Sequence, residues 1–513
     1  MDGTPATTAA EGQDTHDLAQ FGYKQELHRR LGVFSSFAVA FSYISPSTGI
    51  FTLYALGLAT IGGVFFWSWP VVALGQFIIA LNFAEVSTQF PVAGSVFQWT
   101  KYLAPKPYAW FTGWIYLFAG ALTTTAVVVT LPLALIPAFE DMGFNVANTL
   151  NNQRVVALIT LVVITLLNIF GVRLVAIINN TGVIFEVLGM LVFAVILAVL
   201  HHHQSLAVVT NPGTTTASFG GFMAAMFMSL FVIYGFDTAS TLAEETRDPR
   251  RAAPKAVLMS VAGSFVIGAV FLLGTLVAIP NLETAIADGW GPANIISAAL
   301  PGAMATVYLV VVSAAIFVCC LSIQASTIRL AYGMARDRQI PLAHLWSTVN
   351  QRTGSPFGAC LLIAGLAGIP LLQYAGAGYI AIAATGMIYL TYLLGNLAVL
   401  AVRLKGRWRP RHDRRYFSLG RWGTPINILG VLWGASMLVN FAWPRAASNP
   451  TPAQTVIGSV QELSWGPFLD RIPILYTVTI GIVVLGAIYY ALRHRQIPAV
   501  VPPALDGTVV EGG

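Results

Sequence analysis

The chain has 513 residues, 56% hydrophobic and only 9% charged, with a mean hydropathy of +0.72 and a net charge of +6. A soluble domain is about a quarter charged, and no soluble fold of this length could hide so much apolar chain. That excludes a soluble enzyme and gives the class as an all-α polytopic membrane protein whose first partner is the lipid bilayer. The basic residues fall in short loops between apolar spans, so no nucleic acid is expected as a partner.

Residues 1–30 are polar, with no apolar core before a cleavage site, and read as an N-terminal tail rather than a signal peptide. Twelve apolar spans follow, near 33–56, 63–86, 108–135, 155–172, 177–200, 220–242, 256–279, 303–327, 357–374, 378–401, 424–443 and 472–492. Each approaches the ~20 residues that cross a hydrocarbon core. Let odd-numbered spans leave the cytoplasm. All 27 Lys and Arg except Arg154, Arg445 and Arg471 then lie on the cytoplasmic side, which sets both termini there. The segment Arg403 to Arg421 carries eight of these charges, and attraction to anionic lipid is its expected role. His201-His202-His203 reads as a solvated loop, and Cys319, Cys320 and Cys360 as packing residues. No pattern calls for a cofactor, a metal or enzyme chemistry, because no His or Cys cluster, nucleophile–base spacing or cofactor loop occurs.

Two spans are interrupted. The first breaks at Ser45-Pro46-Ser47-Thr48-Gly49, and the sixth, about 190 residues later, at Tyr234-Gly235-Phe236-Asp237. Pro removes a backbone donor and Gly loosens a helix. In lipid the freed groups must line a protein-buried cavity or meet a ligand. Paired breaks at matching places in two halves point to the binding site of a secondary transporter. Aligning them maps spans 1–5 onto spans 6–10. Five is odd, so the second copy is inverted. The expected organisation is a tail at 1–30, repeats at 31–201 and 219–402, a basic cytoplasmic loop at 403–423, spans 11 and 12 within 424–495, and a C-terminal tail at 496–513.

The start of a half-helix exposes N–H groups and suits a carboxylate. The N–H groups after Gly49 would serve, supplemented by the hydroxyls of Ser45, Ser47 and Thr48. Carbonyls at the Tyr234, Gly235 and Asp237 break suit an ammonium, with Phe236 as an aromatic wall. Glu186 in span 5 and Asp237 are the two carboxylates inside spans. A charge at that depth costs at least ~2.5–3.5 kcal/mol, and no Lys or Arg is placed to pair with either. Both are therefore candidates for proton coupling, and Asp237 could instead meet a substrate cation. Glu85, Glu244, Glu245 and Arg329 lie at cytoplasmic span ends. With the mixed charges around them they read as an inside gate of ion pairs.

Four stretches resemble the amino acid–polyamine–organocation superfamily, most nearly its amino acid/choline branch with γ-aminobutyrate carriers. They are LGVFSSFAVAFSYISPSTGIF at 31–51, AEVSTQFPVAGSVFQWT at 84–100, YGFDTASTLAEETRDPRRAAPKAV at 234–257 and STIRLAYGMARDRQIP at 326–341. The resemblance implies a LeuT-type five-plus-five inverted repeat with two extra helices. It implies a plasma-membrane permease that imports an amino acid or related small amine. It favours Glu186 as the proton carrier, since members often place a titratable residue on span 5. It also supplies the rival, a sodium site with span 8 hydroxyls at Ser326 and Thr327. One departure is that the first break has Ser47-Thr48-Gly49 where such permeases carry two glycines, which leaves room for longer amines or choline-like cations. The alternatives are thus a sodium-coupled or exchange-type carrier of choline- or polyamine-like cations, or a nutrient sensor on the same fold. The loop QFPVAGSVFQWTKYLAPK argues against carriers built from two six-span halves, which usually show Gly-Asp-Arg there.

Overall fold

The computed structural model describes residues 9–373, 377–408, 415–445, 456–457, 461–462 and 471–498. Residues 1–8 of the expected N-terminal tail, 409–414 of the basic loop and 499–513 of the expected C-terminal tail lie outside the described residues. The described chain is helical apart from loops and one two-residue strand pair, Val456–Ile457 with Gln461–Glu462.

In chain order, α1 (Ala9–Ala19) precedes α2 (Val33–Ile44), α3 (Pro46–Ile61) and α4 (Ser68–Gln89). Then come the short α5 (Ser95–Leu103), α6 (Lys106–Val128), α7 (Leu131–Asp141), α8 (Leu150–Phe170) and α9 (Val172–Leu200). The second half has α10 (Phe219–Val232), the one-turn α11 (Thr238–Thr241) and α12 (Pro249–Val277). After the short α13 (Leu282–Ala287) and α14 (Pro292–Ala299) come α15 (Gly302–Arg336), α16 (Ala343–Trp346), α17 (Phe357–Gly368) and α18 (Ala377–Leu404). α19 (Gly423–Ala442) and α20 (Ile474–Arg493) end the described chain.

Among the described residues, nine apolar helical stretches are long enough to cross a membrane, and Phe219–Val232 and Phe357–Leu372 are shorter apolar helices. The first long stretch, Val33–Gln89, holds α2, α3 and α4 together. Large apolar side chains stand exposed along α8, α9, α19 and α20, including Phe170, Leu188, Leu429 and Leu485. Such a belt is costly in water and ordinary against lipid. This is a multi-pass membrane protein.

The interrupted helices form the centre. α3 lies along α10, and α2 packs on α9, α12 and α15. Around them α4 runs beside α12, and α6 beside α15 and α18. The N-terminal segment differs from a free tail. Leu18, Phe21, Leu27 and Leu31 are buried, and Phe21 packs between Phe90 and Tyr102 with centroids 6.1 and 5.4 Å away. Polar contacts fix it to the ends of the helices. Arg250 Nε donates to Asp17 Oδ2 at 2.7 Å, Tyr23 OH to Asp337 Oδ1 at 2.9 Å, and the Arg30 and Leu31 amides to Glu245 O at 2.9 Å. Four apolar residues spread over 14 positions are too few to form a periodic pattern, which is why the segment reads as tail from sequence.

Candidate functional site at the two helix breaks

α2 ends at Ile44, Ser45 adopts a left-handed backbone (φ 36°, ψ 86°), and Pro46 opens α3. Proline suits that first turn, where its fixed φ helps and its missing N–H costs nothing. Ser45 Oγ caps the new helix, accepting from Thr48 N at 3.4 Å and lying 2.7 Å from Thr48 Oγ1. Glu186 reaches the same spot from α9. Its Oε1 accepts from Ser45 Oγ and Ser47 Oγ, each at 2.7 Å, and from Ser47 N at 3.4 Å. The positive end of α3 thus holds a carboxylate supplied by the chain itself. Gly49 sits in the first turn of α3, where an added Cβ would overlap the Val232 side chain and lie 3.1 Å from its Cα. The sequence opens the second half-helix after Gly49. The structure opens it three residues earlier, at Pro46, and uses Gly49 to bring α3 against α10.

The second break runs from Ile233 to Asp237. Gly235 has φ +87°, and a Cβ there would fall on the Tyr43 ring. Tyr43 and Tyr234 meet edge to face at 6.0 Å, which joins the two breaks. Phe236 packs between Phe83 and Tyr392 at 6.0 and 5.3 Å. Asp237 is fully buried, and both its oxygens are engaged by hydroxyls. Ser95 and Tyr116 donate to Oδ2, and Tyr392 donates to Oδ1 while accepting from the Gly235 amide at 2.9 Å. Three hydroxyls from α5, α6 and α18 therefore spread the charge that the sequence offers to an ammonium. Ser45, Ser47, Thr48, Tyr43, Glu186, Tyr234 and Asp237 are each at most 4% exposed, so the two breaks are closed off from solvent.

Below the second break the helices end in a layer of ion pairs. Glu245 and Arg329 meet at 3.0 Å with both side chains fully buried. Glu244 binds Arg336 through two bonds, at 2.8 and 2.9 Å, and accepts from the Ala93 amide at 3.1 Å. Lys101 and Asp337 lie 2.6 Å apart. Burial lowers the pKa of Lys101, and Asp337 opposes that shift. Glu85 stands apart from this group. It pairs with Arg403 and accepts from Ser418 Oγ and the Leu419 amide at 3.2 and 3.0 Å, tying α4 to the basic loop.

A sequence profile described as amino acid permease matches residues 31–460. The chain belongs to the amino acid permease family. Among similar proteins is the amino-acid permease BAT1 of Arabidopsis thaliana, 30% identical over 86% of this chain and 90% of its own length. The BAT1 homolog of Oryza sativa is 28% identical over 87% and 91% respectively. A GABA-specific permease of Saccharomyces cerevisiae is 23% identical over 68% of this chain and 64% of its own length.

In this permease the residues singled out from sequence fall into three groups. Ser45, Ser47, Thr48 and Glu186 form one cluster, Tyr234 to Asp237 the facing wall, and Glu244, Glu245 and Arg329 the base. The hydroxyls of Ser326 and Thr327 are both engaged. Thr327 Oγ1 bonds the Ile323 carbonyl and faces Gly120 of α6, while Ser326 Oγ accepts from Thr238 at 3.3 Å. The three buried cysteines form no disulfide. Sequence reasoning missed Ser95, Tyr116 and Tyr392. The available signal was a tyrosine in an apolar helix, whose hydroxyl needs a partner when buried.

Proposed function

We propose that this permease is a secondary active transporter that imports an amino acid or related small amine by alternating access, coupled to protons, with the substrate at the breaks of spans 1 and 6. The observation that carries the reading is the capped N-terminus of α3 holding a carboxylate beside the second break. Both donors that could greet a substrate carboxylate and an acid able to carry a proton stand at one point. The names of the relatives, amino-acid and GABA-specific permeases, support the substrate class.

The helix packing supports twelve spans in a five-plus-five inverted repeat. Let α2–α3 exchange with α10–α11, and α4, α6, α8 and α9 with α12, α15, α17 and α18. The pair α9–α15 then becomes α18–α6, α8–α15 becomes α17–α6, and α2–α12 becomes α10–α4, all of which are in contact. The charge distribution supports cytoplasmic termini, with the base ion pairs as the inside gate. The hydroxyls of Ser326 and Thr327 are engaged with Thr238 and the Ile323 carbonyl, which favours the proton over sodium.

The test is uptake by purified protein in liposomes of alanine, arginine and γ-aminobutyrate, and of ethylamine, agmatine and propylamine. Accumulation under a proton gradient alone is expected. Accumulation under a sodium gradient alone would overturn the proton assignment. Binding without accumulation under either gradient would mark a sensor.

A further inference from the structure

The first break raises a conflict. The donors best placed for a substrate carboxylate, Ser45 Oγ, Ser47 Oγ and Ser47 N, are already spent on Glu186 Oε1. One helix end cannot hold two carboxylate charges side by side in a dry site. A protonated Glu186 is a weaker acceptor and brings no charge, so it can leave. A place for it to go exists. Tyr308 of α15 is fully buried, its hydroxyl has no partner among the described residues, and it lies within electrostatic reach of Glu186. Its ring packs at a tilt against Phe193, centroids 4.2 Å apart, two turns further along α9.

The charges on the helices around Glu186 lie toward the helix ends. Helices α2, α8, α12 and α15 pack on α9. Tyr308 and Cys319, both on α15, lie within electrostatic reach of Glu186. Tyr43 of α2 turns to Tyr234. Arg154 of α8, Arg250, Arg251 and Lys255 of α12, and Arg329 and Arg336 of α15 all stand within about two turns of a helix end.

We propose that Glu186 is a tethered stand-in for the substrate's carboxylate: when it takes a proton it vacates the α3 N-terminus, and the ligand's carboxylate takes its place. The inference rests on the breaks being the substrate site and adds the chemical class selected there. The ligand carries a carboxylate, and amines without one are poor ligands because they cannot replace the anion that α3 holds. One proton is taken up for each carboxylate bound. By reciprocity the bound substrate also holds the proton on Glu186.

The test is binding to the purified full-length protein between pH 5.5 and 7.5, using alanine, arginine and γ-aminobutyrate against ethylamine, agmatine and propylamine. Over this range each ligand's own charge is nearly constant. The expected result is amino-acid affinity that falls by up to about tenfold per pH unit as Glu186 ionises, because one proton is linked to each binding event. The amines should bind weakly at every pH. Glu186→Gln should bind the amino acid with a flat pH profile. Tyr308→Phe should keep the slope and weaken amino-acid binding by roughly tenfold, since the displaced acid is then buried without a partner. Three results would overturn the proposal: a flat wild-type profile, an unchanged slope in Glu186→Gln, or an amine that binds more tightly than its parent amino acid. If none of the six ligands binds the wild type, the reading of the breaks as a substrate site fails first.

Discussion

Gly235 shows how much one missing side chain decides. Its φ of +87° disfavours any L side chain, and the Tyr43 ring occupies the place of a Cβ. Gly235→Ala should therefore pry the two breaks apart. The left-handed backbone alone costs about 1–2 kcal/mol, and displacing Tyr43 adds to it. The expected result is a lower unfolding midpoint in detergent together with loss of amino-acid binding, and unchanged values for both would detach Tyr43 from the site. Much at this scale is legible beforehand. Pro46 and Gly235 mark the breaks through backbone chemistry alone, and Glu186 and Asp237 stand out as acids in apolar spans. Their partners do not stand out. Glu186 meets Ser45 and Ser47 across about 140 positions, and Asp237 meets Tyr392 across 155. Gly49 reads equally well as ligand space or helix contact, and only the position of Val232 decides between them.

At the scale of elements, the base of α11, α12 and α15 has an unequal set of ion pairs. Glu245 and Arg329 are fully buried, so removing one partner strands a charge at a cost of about 3–5 kcal/mol. Arg251 and Asp248 are 39% and 49% exposed, and such pairs contribute about 0–1 kcal/mol. Glu245→Gln should open the base, and Arg251→Gln should not. The readout is thiol labelling of Ser95→Cys, a buried position under Asp237, in a chain with its three native cysteines replaced by alanine. Faster labelling from the basic side in Glu245→Gln alone is expected, and equal rates in both variants would remove the buried pair as a gate. The elements themselves were readable because apolar length dictates them. The ends were harder: α11 is a single turn, too short to show a period, and α5 lies in a stretch between spans where only Ser95 bonding Asp237 shows its role.

At the scale of the molecule, the distribution of basic residues predicts sidedness. A reporter active only in the cytoplasm should work when fused after Arg495 and fail when placed within residues 201–219. The reverse pattern would invert the protein and exchange inside for outside at every gate. The docked N-terminal segment carries a different consequence, one for biosynthesis. Tyr23 bonds Asp337 across 314 residues. At about 5–20 residues per second, roughly 15–60 s of translation separate the two. This segment, made well before its partner, is thus among the last to settle, and until residue 337 has been made its Leu18, Phe21 and Leu27 have no complete surface to cover. A truncated nascent chain would display that greasy stretch unprotected, a built-in mark of incompleteness that chaperones and proteases can recognise.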